Sequence, residues 1–365
     1  MPSRVLAHIG LPKTGTTYLQ ALLYANVEAL RRQDVSVVGR HRLHYDAASE
    51  VAGAPSRRTR QVPTGAWDRV LRQLGRVETD RAVFSNERYS LVERDGAARM
   101  AATIGDTLPG CELHVVLTLR DMVAAEPSAW QEYVKNGGRL GWPEFCAAAV
   151  ADPPELQRRR RARRMLAVWP ELVPPERIHV VTVPPPGSPR GLLLERFCSV
   201  LGVDPAGLET TEPGRANTSL DFVATEMLRR VNARAPRLPV EVQRGEIKRF
   251  LANGVLSRRE ASLKPSLSGA ALELARGENA WLVETLRSIS VTTKSREVLV
   301  RLGSVASRPA GSTPSTLQKR SSSRPRGLPG GEPQAGAVRR RPGARPRRER
   351  LAGRDPAHRR LRRGG

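Results

Sequence analysis

The sequence predicts an α/β fold: a parallel sheet covered by helices on both faces, then a helical C-terminal part and a loose basic tail. Three observations predict it. Short β-branched runs alternate with longer amphipathic stretches, the pattern of strands buried on both sides and their crossover helices. After Pro205 the strand-like runs stop and the periodicity is helical. From Val291 onward the composition changes: 20 Lys and Arg stand against 4 Asp and Glu, among many Pro, Gly and Ser, with no aromatic residue.

The elements follow in order. Val5 to Ile9 is an apolar run ending at Gly10, a buried strand. Residues 16–32 carry Leu19, Leu22, Leu23, Ala29 and Leu30 on one helical face. Further strands are expected at 35–38, 81–85, 113–119 and 178–183, the fourth of these five, LHVVLTL, being the strongest. Helices are expected near 66–76, 92–106, 128–135, 155–168 and 190–201, and after Pro205 near 219–234, 240–252 and 268–288. This divides the chain into an α/β domain over 1–290 and a tail over 291–365. The tail holds nearly two thirds of the net charge of +25 and too few apolar groups to offset its backbone entropy, so it is expected to be disordered. A nucleic-acid or acidic-surface arm, a solvated extension and out-of-frame translation of a GC-rich gene all remain open for it.

Composition excludes several classes. No apolar run reaches the length of a membrane span, and MPSRVLAHIGLPKTG has no signal-peptide core, which leads us to expect a cytoplasmic protein. Cys111, Cys146 and Cys198 are too few and too scattered for a disulfide framework or a cysteine-rich zinc site, and no metal is expected. The heavy use of Arg, Ala, Gly and Pro reads as a GC-rich bacterial source.

The first strand runs into HIGLPKTGTTYLQALL. Gly10 permits a turn, Gly15 lets backbone approach a ligand, and a helix begins at Thr16 or Thr17. Amides of such a loop and helix start point at an anion, and the helix dipole favours negative charge there. Lys13 adds a full charge, and Thr14, Thr16 and Thr17 add hydroxyls. Lys13 precedes Gly15, so this is not the GxxxxGK[ST] nucleotide loop.

PKTGTTYLQ, comprising Pro12, Lys13, Thr14, Gly15, Thr16 and Thr17, resembles the 5′-phosphosulfate loop of sulfotransferases that use 3′-phosphoadenosine 5′-phosphosulfate. LHVVLTLR ends at Arg120 and Ser128 follows eight positions on, which resembles that family's 3′-phosphate site. An arginine forks onto a phosphate and a serine hydroxyl adds a second contact. The stretch 177–203 and NTSL at 217–220 are weaker matches without assigned roles. Met122 and Pro127 depart from the usual pattern, and the Arg-Lys-Gly element of animal cytosolic members is missing.

The resemblance implies a P-loop-NTPase-like sheet and sulfuryl transfer to a hydroxyl of a small-molecule or carbohydrate acceptor, with Lys13 and loop amides stabilising the leaving phosphate. It places the general base after the third strand, at Glu87 in AVFSNERYSL; a surface ion pair with Arg88 or Arg94 is the ordinary alternative. His8, His114 and His179 sit in apolar strands and read as core. His41 and His44 fall in an expected loop and are candidates for acceptor contact, Ser85 and Asn86 for orienting the acceptor. The acceptor loops are expected at 40–66 and 136–150, with Trp130, Tyr133 and GWPEF as core or cleft lining. The other readings kept open are a P-loop kinase or NTPase, and a non-catalytic nucleotide-binding or nucleic-acid-binding protein acting through the tail.

Overall fold

A computed structural model describes residues 1–56, 59–151, 158–185, 187–189, 191–210, 220–235, 238–258 and 263–288. The basic tail, residues 217–219 of NTSL and the expected helix start at 155–157 lie outside them. At its centre are five strands, β1 (Arg4–His8), β2 (Val35–Val37), β3 (Arg81–Ser85), β4 (Glu112–Leu119) and β5 (Ile178–Thr182). They form one sheet in the order β2-β3-β1-β4-β5, with every pairing parallel. In register, His8 stands opposite Ser85 on one side and Val116 on the other, and Leu119 opposite Thr182. All five were legible as apolar runs, because strands buried on both faces need no alternation.

Helices cover both faces. On one side α1 (Thr16–Ala25) lays Leu19, Leu22 and Leu23 against Leu6, Val83, Val116 and Val181, joined by Leu194, Phe197 and Leu201 of the helix Leu192–Leu201. On the other, Val5, Ala7, Phe84, Val115 and Leu117 meet Trp67, Val70, Met100, Ile104, Met165 and Leu282, all essentially buried. A third cluster, around Trp130, Phe145, Leu220 and Leu228, belongs to the helical part.

The helical boundaries differ from expectation in instructive places. The expected helix 16–32 breaks into α1 and α2 (Val27–Arg32) at Asn26. There the Asn26 amide donates to the carbonyls of Leu22 and Glu209 and its oxygen accepts from the Glu209 amide. Part of the expected acceptor loop 40–66 is helix, α3 (His41–Val51), which turns Ala47, Ala48 and Val51 into the core, before α4 (Ala66–Leu74) and α5 (Arg94–Thr107). The expected 128–135 helix starts earlier, as α6 (Met122–Lys135), because Asp121 caps it by accepting from the Val123 amide; Pro127 is accommodated inside. Much of the expected 136–150 loop is α7 (Trp142–Ala151), with a proline in its first turn.

The chain continues through α8 (Arg158–Val168), α9 (Leu192–Leu201) and α10 (Phe222–Arg234). The turn α11 (Val240–Val242) widens into a π-helical segment, Gln243–Val255, where a plain α-helix was expected. The long α12 (Gly269–Ser288) follows. Its Asn279, fully buried, accepts from the Met122 amide at 2.9 Å and donates to Asp121 Oδ1 at 2.8 Å. So α12 fixes the N-terminus of α6. No helix of the described residues is long and apolar enough to cross a membrane.

Candidate active site

In this strand order the connection leaving β1 runs to one edge of the sheet and the connection leaving β4 to the other. That divergence opens a crevice beyond the C-terminal ends of the central strands, where ligands of open parallel sheets bind. Three of the sequence-derived features meet there: the loop after β1, Glu87 after β3 and Arg120 after β4.

The loop is held in unusual backbone geometry. Gly10, Lys13 and Gly15 all have positive φ, at 48°, 69° and 83°. At Gly10 a Cβ would stand 2.4 Å from Thr16 Cγ2 and 3.5 Å from Glu87 Cβ, so glycine is required for β1, α1 and Glu87 to close on one another. Lys13 is the exception, a non-glycine in the left-handed region, a strain of the kind found where function fixes the backbone. Gly15 precedes α1, whose first-turn amides have no intrahelical acceptors and face the crevice side of the sheet. Thr17 is exposed, Pro12 is half-buried, and Thr14 and Thr16 are buried.

A chain of buried polar groups supports the loop from below. Thr14 Oγ1 lies 2.5 Å from the Leu11 carbonyl and 2.5 Å from Thr118 Oγ1. A carbonyl only accepts, so the Thr14 proton goes to Leu11 and Thr118 must donate to Thr14. Thr118 then accepts from His8 Nε2 at 3.4 Å, which leaves His8 Nδ1 to accept from Ser85 Oγ at 2.7 Å. That proton order requires a neutral His8, and burial indeed pushes its pKa down to about 3. Ser85, weighed as an acceptor-orienting residue, serves inside this chain, as does the strand histidine read as core.

Glu87 opens a 3-10 turn, Glu87–Leu91, capped by Asn86, whose side chain accepts from the Arg88 amide and whose own amide extends the ladder to the His8 carbonyl. Glu87 Oε2 accepts from Gln20 Nε2 of α1 at 3.1 Å. Of the two arginines named as alternative partners, Arg94 pairs with Glu171, and Arg88 reaches Ser49 and the Pro55 carbonyl. One turn beyond Gln20, the buried Tyr24 hydroxyl has no hydrogen-bond partner among the described residues. Burial raises its pKa to about 12, with Arg40 pulling down and Glu87 pushing up, so Glu87 and Arg40 both act on it.

Across the crevice, Arg120 Nη1 donates to Ser128 Oγ at 3.3 Å. Burial lowers the Arg120 pKa and neighbouring Asp121 raises it. Ser128, Glu132 and Asn136 follow at four-residue intervals along one face of the α6 coil. Glu132 Oε2 binds Lys13 Nζ at 2.7 Å, which draws α6 onto the loop. Its Oε1 binds Lys248 Nζ of the π-helical segment, also at 2.7 Å. Burial pushes the Glu132 pKa up, but Lys13 and Lys248 outweigh it and hold the group at about 2. Buried Lys135 is pushed down to about 8, by desolvation first and by Lys13 and Lys248 as well.

The histidines proposed for acceptor contact separate. His41 is exposed at the start of α3, whereas His44 is wholly buried, stacked on Phe84 and bonded to Tyr89 Oη and the Val38 carbonyl. That corrects His44: it is a core residue. His114 and His179 stack on each other at the far end of the sheet. Trp130 is buried against Trp142 and Phe222 and bonded to the Leu140 carbonyl, so it packs the helical part. Sequence reading missed Thr118, Glu132, Lys248 and Asn279. Only Glu132 carried a signal, its place one turn beyond Ser128. Among the described residues no group of three or more His, Cys, Asp or Glu is placed to hold a metal ion.

No protein-family model matches the chain, and no curated protein matches it either. Among solved structures it is similar to a mouse sulfotransferase complexed with PAP, at 11% identity over 84% of this chain and 88% of that one, with a TM-score of 0.35.

Proposed function

We propose that the chain is a sulfotransferase, moving a sulfuryl group from 3′-phosphoadenosine 5′-phosphosulfate to a hydroxyl of a small-molecule or carbohydrate acceptor. What carries the reading is the meeting, beyond three neighbouring strands, of two separate anion-binding elements and one carboxylate. The elements suit a nucleotide with phosphates at both ends. Arg120 is a partly buried guanidinium whose hydrogen bond among the described residues goes to a hydroxyl rather than a carboxylate, so its charge is available to a phosphate.

In the proposed reaction the acceptor oxygen attacks sulfur as the bond from sulfur to the bridging phosphate oxygen breaks. The acceptor proton passes to Glu87, and the electron pair of the broken bond stays on the phosphate. Negative charge grows on that oxygen, beside Lys13 and the first amides of α1, which are fixed before the reaction begins. Gln20 orients the Glu87 carboxylate through the 3.1 Å bond. Arg120 and Ser128 hold the opposite end of the nucleotide, so the binding there positions the reacting end. The basic segment 291–365 is proposed as an appendage outside this chemistry.

Calorimetric titration of adenosine 3′,5′-bisphosphate without metal tests this, using wild type, Lys13→Ala and Arg120→Ala. Binding in wild type that is at least about tenfold weaker in each variant is expected. Absent bisphosphate binding, or a preference for ATP with Mg²⁺, would refute the reading and favour a kinase or NTPase.

A further inference from the structure

The most highly charged contact in the crevice is one the proposed chemistry leaves unused. Glu132 bridges two ammonium groups through its two oxygens, Lys13 from the loop and Lys248 from the π-helical segment, each at 2.7 Å. Asn136 Nδ2 donates to the same Oε1 at 3.0 Å, and Lys248 also reaches Asn136 Oδ1 at 2.9 Å. The three charged side chains are each about 30% exposed, with Lys13 at 33%, Glu132 at 28% and Lys248 at 29%, so water reaches them. With Lys135 the cluster holds three ammoniums and one carboxylate, and the depressed pKa of Lys135 reflects their mutual repulsion as well as burial.

The two oxygens of a carboxylate are separated by about the same distance as two oxygens of a phosphate or sulfate group. Ammoniums gripped by one carboxylate edge are therefore spaced for an edge of a tetrahedral oxyanion. A third cation nearby supplies the charge that a carboxylate does not neutralise and a dianion does. We propose that Glu132 is a resident counter-anion of the loop: an entering phosphate or sulfate group displaces its carboxylate from Lys13 and Lys248 and takes both lysines.

Two consequences follow from the geometry. Lys13 cannot serve a ligand fully while Glu132 holds it, so the carboxylate competes with the ligand and weakens its apparent affinity by the fraction of molecules that are latched. Lys248, more than a hundred residues away in sequence and on a different element, becomes part of the anion site. The identity of the anion as the phosphosulfate end of the donor rests on the function proposed above. The displacement itself requires only an oxyanion.

The experiment separates the two. Wild type and Glu132→Gln are titrated with adenosine 3′,5′-bisphosphate and with inorganic pyrophosphate, and thermal unfolding is followed with each. Glutamine keeps the shape and the Asn136 contact but removes the charge. Glu132→Gln is expected to bind about tenfold tighter or better, and to gain more in melting temperature from either anion than wild type does. A folded Glu132→Gln that binds both anions as wild type does, or more weakly, overturns the proposal. Pyrophosphate enhancement without any bisphosphate binding would keep the counter-anion role and sink the donor assignment instead. Should Glu132→Gln fail to fold, wild type decides: with ¹³C-dimethylated lysines, pyrophosphate is expected to shift the Lys13 and Lys248 signals together. A shift at Lys13 alone, or at neither, overturns it.

Discussion

Replacing Thr118 by valine removes one hydroxyl from the floor of the loop after β1 at almost constant volume. The hydroxyl has two duties: it donates to Thr14 Oγ1 at 2.5 Å and accepts from His8 Nε2 at 3.4 Å, in a position with no exposure to solvent. Losing the first bond costs about 0.5–1.5 kcal/mol. The second leaves a buried ring N–H without an acceptor, worth about 1–3 kcal/mol. Together they give roughly 1.5–4.5 kcal/mol, a large part of a typical domain's stability. Urea unfolding should show a midpoint lower by about 1 M or more. Thr118→Ser, which keeps the hydroxyl, should recover most of the loss. Bisphosphate affinity should fall in the valine variant, because Thr14 then keeps only its contacts within the loop, to the Leu11 carbonyl and amide, and loses its tie to β4. A valine variant within about 0.5 kcal/mol of wild type would show that the polar chain is not a support, and the proton order derived for it would fall too.

Glu87→Gln is expected to keep bisphosphate affinity within about threefold while sulfuryl transfer drops by 10² to 10⁴, the usual contribution of a positioned base; unchanged turnover would remove Glu87 from the reaction. Asn279→Ala breaks two contacts to the start of α6 and should cost about 1–3 kcal/mol in urea unfolding, with weaker bisphosphate binding as Ser128 loses its setting. Normal stability in that variant would show that α12 does not seat α6. Stability should also fall on acidification. Burial holds His8 at about 3, and burial, partly offset by the Val38 bond, holds His44 at about 4, both below the ordinary 6.5. The unfolded chain therefore takes up protons that the folded one refuses. Their contribution is whole above pH 6.5 and is lost downward from there by up to ~1.4 kcal/mol per unit for each histidine. The contribution of Glu132, held at about 2, is whole above the ordinary 4.5 and is lost as the pH falls from there towards 2, so it adds to the decline only below about pH 5. A flat unfolding midpoint between pH 7.5 and 5 would contradict the burial of both rings.

The strands were legible because a doubly buried strand is a continuous apolar run, and the loop because glycine, lysine and threonine at a strand–helix junction have few other uses. Arg120 and Ser128 could be paired only through the resemblance of their spacing of eight to a known phosphate site, since one ends a strand and the other lies nearly two turns into the next helix. What escaped was either polar in composition or distant in sequence. HRLHYD in α3 looks like loop, yet the His44 ring fills core space, and its polar atoms are paired by Tyr89 and Val38. The helix expected near 128–135 begins at Met122, because Asp121 caps it and the distant Asn279 binds both residues. Lys248 and Asn279 meet their partners across more than a hundred residues, and no local periodicity encodes such a meeting.

The hydrogen bond from Asn279 to Asp121 spans 158 positions of the chain. A ribosome adding about 5–20 residues per second needs roughly ten to thirty seconds to travel that distance. The loop after β1 and four of the five strands are already made when that interval begins, and β5 is made within it, while α6 waits for the residue that sets its first turn. On the proposed reading, the nucleotide site is completed only near the end of synthesis, and a ribosome stalled before residue 279 would display the loop after β1 without a fixed α6 beside it.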